Sequence, residues 1–205
     1  MSLLLETICI EGHQVQNWSG HARRMERSLA AEGWELDLGE VRQRIHEDYR
    51  SFCQKAGGSA GRVKCRLVYS SRIESLSFLS YELPRIQTLQ MVEATLRYSR
   101  KYADRQVLDD LRASSRADDV LIVQEDRIKD TTFCNVAFRE GERWLTPALP
   151  LLEGTRRERL LEIGLLTGVD LFRLDLMNFS QIMLFNAMIA PFEIVLPWPD
   201  CLTRE

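Results

Sequence analysis

Lysine is scarce in this chain. Of the 27 basic residues among 205, only Lys55, Lys64, Lys101 and Lys129 are lysines, and arginine fills the other cationic positions. Charge of one sign is not in excess either: 30 acidic residues leave a formal net charge of −3. Both signs are spread along the sequence, so no tail or face is set aside for nucleic acid. No apolar run approaches the length of a membrane span, and the opening MSLLLETICIEG lacks the basic n-region and apolar length of a signal peptide. The expectation is a cytoplasmic protein. Cys9, Cys53, Cys65, Cys134 and Cys201 are odd in number and form no CxxC pair, so neither a disulfide framework nor a zinc knuckle is indicated. His13, His21 and His46 show no metal-ligand spacing, and no metal is expected. Nucleophile elbows of the GxSxG type and GxxxxGK(S/T) phosphate loops are absent, which removes the usual markers of those reaction classes.

The hydrophobic fraction of 45% suffices for a core, in one domain or two small ones. LLLETICIEG reads as a strand ending in a turn, followed by helical periodicity from about Ser19 to Ala31 and from about Leu38 to Lys55. AGGSAG then interrupts the chain. RVKCRLVYS, RIESLSFLSYEL and TLQMVEATLRY have the composition and alternation of strands. A helix is expected from about Arg105 to Ala117, then strands in DDVLIVQED, TTFCNVAFREG and ERWLTP, and another helix from near Gly154. The tail, with DLFRLDL, QIMLFNAMI and FEIVLP, again reads as strand, and there are no repeats or low-complexity linkers. The pattern predicts an α+β protein with a boundary near residue 95, separating an N-terminal α+β domain (1–95) from a strand-rich C-terminal domain (96–205) that carries Lys101.

Several short segments offer chemistry, each with a plainer reading beside it. Lys101, in RYSRKYADRQVLDDLR, is a surface charge or an amine that can attack a carbonyl, which a guanidinium cannot do. HARRM puts His21 and Arg24 one turn apart on one helix face, where Arg24 can fork onto a phosphate; by pattern alone a solvated face is favoured. In DTTFCN, Asp130 caps a turn or meets a protonated ring nitrogen. LLEGTRRERLLEIG is a glycine turn with a threonine cap, or a helix start offering amides to a phosphate. Asn186 and Ala187, near the end of an apolar strand, fit a backbone-pairing asparagine as well as a binding loop.

Taken in order, these pieces resemble the class IV enzymes that use pyridoxal 5′-phosphate, the group of branched-chain and D-amino-acid aminotransferases and aminodeoxychorismate lyase. LETICIEG resembles the family's FET strand and HARRMERS its HxxRLxxS helix, which implies Arg24 as a phosphate ligand. KYADR is similar to the K-x-x-(N/D)-R pattern of the lyases, which implies Lys101 as the amine that joins the cofactor. DTTFCN resembles the E-x-x-x-x-N strand, with Asp130 facing the pyridinium nitrogen. LTPALPLLEGTRR is similar to the TP…LxGxxR segment, implying that amides around Thr155 and Arg156 hold the phosphate. FNAMI resembles the NALMP loop of aminodeoxychorismate lyases, with Asn186 and Ala187 closing the other side of the site.

The resemblance implies a two-domain D-amino-acid aminotransferase-like fold with the cofactor in the interdomain cleft, a homodimer, and a small amino compound as substrate. Three departures accompany it: Asp130 replaces glutamate, the family's aspartate and glycine-rich turn before the FET strand are not matched, and Ala190 stands where NALMP ends in proline. The implied activity is conversion of 4-amino-4-deoxychorismate to 4-aminobenzoate and pyruvate. The alternatives are an aminotransferase for branched-chain or D-amino acids and a protein that binds the cofactor without turnover.

Overall fold

A computed structural model of the chain describes residues 3–55, 61–96 and 98–203, so most of the AGGSAG interruption lies outside the described residues. Contacts divide the chain into two units: one runs to Leu83 and also takes in Arg100–Asp104, and the other comprises Pro84–Ser99 and everything from Arg105 onward. Lys101 is thus grouped by contact with the N-terminal unit.

The N-terminal unit holds β1 (Leu4–Glu11), β2 (Gln14–Val15), α1 (Trp18–Glu32), α2 (Leu38–Lys55), β3 (Val63–Tyr69) and β4 (Ile73–Ser80). They form an antiparallel sheet in the order β2-β1-β3-β4. Gly12 and His13, at φ 56° and 60°, make the tight turn between β1 and β2. Two successive left-handed residues match the twist of a two-residue hairpin. Met25 and Leu29 of α1 and Val41, Ile45 and Tyr49 of α2 recur at four-residue spacing, which puts each set on one face. Those faces meet Leu4, Ile8 and Ile10 of β1 and Val63, Cys65 and Leu67 of β3 in one core. The Arg100–Asp104 strip borders the start of β1: the Leu5 amide donates to the Lys101 carbonyl at 2.8 Å, the Ala103 amide donates to Leu3 at 2.8 Å, and Tyr102 bridges Leu4.

The C-terminal unit contains β5 (Leu89–Glu93), α3 (Gln106–Ala113), β6 (Asp119–Gln124), β7 (Arg127–Thr131), β8 (Asn135–Glu140), β9 (Arg143–Pro147), α4 (Thr155–Glu162), β10 (Thr167–Val169), β11 (Gln181–Phe185) and β12 (Ile194–Pro197). β5, β6 and β7 make one sheet, with β5 parallel to β6, and the other runs β10-β9-β8-β11-β12. Leu108 of α3 packs on Val120 and Ile122, and Leu160 of α4 packs on Ala137, Met183 and Phe185. DLFRLDL departs from expectation. Instead of a strand, Arg173–Asn178 form a 3-10 turn, because the Asp175 carboxylate accepts the Phe172 amide at 2.8 Å and caps its start. Leu174 and Met177 are left exposed on it.

Candidate active site

In the N-terminal unit the site is centred on the glutamate of the LET motif, a residue to which the resemblance assigned no role. Glu6 stands in β1 among apolar neighbours and is fully buried. A carboxylate in that setting needs partners. Arg24 supplies two hydrogen bonds, Nε to Oε1 at 2.8 Å and Nη2 to Oε2 at 2.6 Å, and His21 Nδ1 lies 2.6 Å from Oε2. His21 and Arg24 lie on the buried face of α1, with 1% and 5% exposure, so the solvated-face reading of HARRM is wrong. The counter-ion responsible is on β1, outside the helix.

Burial opposes ionisation of Glu6, but the Arg24 charge and the hydrogen bonds from His21 and Arg24 overcome it and hold the carboxyl far below the usual range. Burial also holds His21 below its ordinary value, more strongly than Glu6 opposes, and the charges of Arg24 and Lys101 act in the same direction. The His21–Glu6 contact is therefore a hydrogen bond from a neutral ring rather than an ion pair. Because ionised Glu6 can only accept, the proton of neutral His21 sits on Nδ1 and Nε2 is left as an acceptor. Lys101, half-buried and fixed by its backbone beside Leu5, adds a primary amine within electrostatic reach of this group.

In the C-terminal unit Asp130 lies near the end of β7 and is 4% exposed. Its Oδ1 accepts from Asn135 Nδ2 at 2.9 Å and its Oδ2 from the Leu152 amide at 2.8 Å. Burial raises its pKa to about 6, against the opposing effects of those two donors and the nearby Arg157 charge. Asn135 Nδ2 also donates to the Leu152 carbonyl at 2.9 Å, so Asp130, Asn135 and the turn before α4 are tied together.

That turn ends at Gly154, and the bonding of α4 begins with the Glu158 amide donating to the Gly154 carbonyl at 2.9 Å. The amides of Thr155 and Arg156 precede that first bond, at the positive end of the helix dipole. Thr155 is buried. The Arg156 side chain turns to the strand end: Nε donates to the Asn186 carbonyl at 2.6 Å and Nη2 to the Ala187 carbonyl at 2.9 Å. Asn186 folds its own turn, with Oδ1 accepting the Met188 and Ile189 amides at 2.7 and 2.9 Å and Nδ2 donating to the Phe133 carbonyl at 3.1 Å. The structure thus joins Arg156 to Asn186 and Ala187 in one unit, and in the other gathers Arg24 and His21 around Glu6, with Lys101 acting electrostatically on His21. Among the described residues, no helix is long and apolar enough to cross a membrane, and no group of three or more His, Cys, Asp or Glu side chains could hold a metal ion.

Comparison with known proteins identifies the family. Residues 99–194 match the amino-transferase class IV family model. A Haemophilus influenzae protein without an assigned function is 32% identical over 187 residues, covering 90% of this chain and 97% of that one. A crystal structure from Haemophilus somnus, whose assignment as a 4-amino-4-deoxychorismate lyase is provisional, is 30% identical with a TM-score of 0.81, over 93% of this chain and 98% of that one.

The chain belongs to the class IV aminotransferase family.

Class IV architecture extends to more distant structures. The PLP-bound form of a hypothetical aminotransferase from Mycobacterium tuberculosis, 19% identical, shares the fold with a TM-score of 0.77 over 93% of this chain and 79% of that one.

Proposed function

We propose that this class IV enzyme uses pyridoxal 5′-phosphate to convert 4-amino-4-deoxychorismate to 4-aminobenzoate and pyruvate, a folate-precursor step, working as a cytoplasmic homodimer. The observation that carries the lyase reading is the FNAMI turn, which Asn186 closes on itself and Arg156 holds from behind. The provisional assignment of the Haemophilus somnus relative supports it.

The donor set suits the cofactor. A phosphate calls for cationic and amide donors, which Arg24 and the first turn of α4 provide. A protonated pyridine nitrogen calls for a sheltered carboxylate, and Asp130 is one; a facing cation would favour its ionised form. An aldehyde calls for a primary amine, which is Lys101. Once bound, the cofactor would supply an electron sink for the bonds that break in the substrate. Lys101 would anchor the cofactor and, once freed by the substrate amine, would be the base that takes and returns the substrate proton. By the family resemblance Arg24 and the amides of Thr155 and Arg156 would hold the phosphate, and Asn186 and Ala187 would border it.

The two products account for every atom of the substrate, so the lyase needs no co-reactant. An aminotransferase needs a second oxo acid to complete its cycle. That second reading is favoured by Ala190, which stands where the lyase loop ends in proline. The test is absorbance of the purified protein with pyridoxal phosphate, borohydride reduction and peptide mapping, followed by pyruvate release from aminodeoxychorismate coupled to lactate dehydrogenase. The expected adduct is on Lys101 and absent from Lys101→Ala. Multiple turnovers without oxo acid support the lyase, a stalled amine form of the cofactor supports the aminotransferase, and binding without turnover on any amino substrate leaves a carrier.

A further inference from the structure

Gly154 has an ordinary backbone, φ −69° and ψ 138°, which any residue adopts. Conformational freedom does not explain this glycine, but the space above it does. A Cβ built there would lie 1.9 Å from Asn135 Oδ1, far inside contact distance. The same Asn135 side chain donates to Asp130 Oδ1 and to the Leu152 carbonyl, both at 2.9 Å, while the Leu152 amide returns a 2.8 Å bond to Asp130 Oδ2.

We propose that Asn135 is a positioning residue that acts through Asp130: its side chain, seated over Gly154, locks the Asp130 carboxylate to the turn leading into α4, so that the carboxylate and the helix's first amides keep one fixed relation. This rests on the cofactor reading above for its functional meaning but not for its geometry. The lock explains two otherwise separate sequence features, the asparagine five residues after Asp130 and the glycine before Thr155, as a single interdependent pair. It also has an electrostatic consequence. The groups acting on Asp130 are the Asn135 amide, the amides of Leu151 and Leu152, and the Arg157 guanidinium of α4; Cys134, buried beside it, feels its charge. Without the Asn135 donor the ionised form of Asp130 loses a bond that opposes its burial.

The test is a cycle of Gly154→Ala, Asn135→Ala and the double variant in the full chain, read by melting temperature without cofactor, by pyridoxal phosphate affinity, and by the pH profile of that affinity. Gly154→Ala alone is expected to lower the melting temperature and to weaken cofactor binding by ~tenfold, the scale of a lost hydrogen bond to a charged group. The double variant is expected to be no worse than Asn135→Ala, since the clash has gone, and the acid limb of the affinity profile is expected to move to higher pH in Asn135→Ala. Additive penalties in the double variant overturn the interlock. A lowered melting temperature with an unmoved pH limb reduces Asn135 to a packing role and overturns the positioning claim. If the wild-type protein takes up no pyridoxal phosphate, the cofactor reading has failed, and the melting-temperature cycle still decides whether the interlock exists.

Discussion

Replacing Glu6 by glutamine keeps the shape of the side chain and removes its charge, leaving the Arg24 guanidinium buried at 5% exposure without its bidentate carboxylate. Breaking a buried ion pair from one side costs about 3–5 kcal/mol, because the remaining charge stays desolvated. Proteins are stable by only ~5–15 kcal/mol, so this is a large fraction. With melting temperatures moving by roughly 2–4 °C per kcal/mol at this chain size, Glu6→Gln is expected to melt at least ~6 °C below wild type in a calorimeter. The pH dependence carries a second signature. The folded pKa of Glu6 is depressed, so its contribution is fully present above the unfolded value, about 4.3, and fades as pH falls toward the folded one. Wild type should therefore lose stability on acidification below about pH 4.5 along a slope that the variant lacks. Adding Arg24→Met to Glu6→Gln removes the orphaned charge and should recover much of the loss. A single variant melting within ~1 °C of wild type, or a double variant worse than the single, would refute the reasoning that the Glu6–Arg24 pair is a desolvated unit.

Asp130 predicts the opposite slope in the cofactor-free protein. Its folded pKa of about 6 lies above the ordinary carboxyl value, so the folded state binds the proton more tightly and stability falls as pH rises from about 4 to about 6. The shift corresponds to about 3 kcal/mol, so Asp130→Asn should gain several degrees relative to wild type between pH 4 and pH 7 in paired melting curves. A constant difference across that range removes the assignment. Arg156→Leu deletes the two donors to the Asn186 and Ala187 carbonyls. Amide exchange of Met188 and Ile189 is expected to quicken ~tenfold or more while β11 keeps its protection; unchanged exchange would show that Asn186 holds its turn unaided.

What was legible in the sequence depended on how far each residue's partner lies along the chain. Amphipathic spacing suffices for α1 and α2, since the signal and the buried face belong to the same element. It fails for His21 and Arg24, because polar residues at helical spacing look alike whether they face water or a carboxylate on β1. The missing signal was present in β1 itself: one glutamate in the middle of LLETICIE, where alternation gives it no exposed face. DLFRLDL misleads for a related reason. Its apolar positions alternate as in a strand, but Asp175 satisfies the Phe172 amide locally and tips the segment into a 3-10 turn. The Gly154–Asn135 relation could not have been read from either neighbourhood, since the glycine's own dihedrals are unremarkable and its reason is a side chain arriving from β8. Within a motif the spacing itself brings side chains together: Asn135 reaches Asp130 across the turn from β7 to β8, and His21 and Arg24, one helical turn apart, both reach Glu6. Glu6 and Gly154 stand inside quoted motifs that assign them no side-chain partner, and the work of each consists of accommodating another motif's side chain.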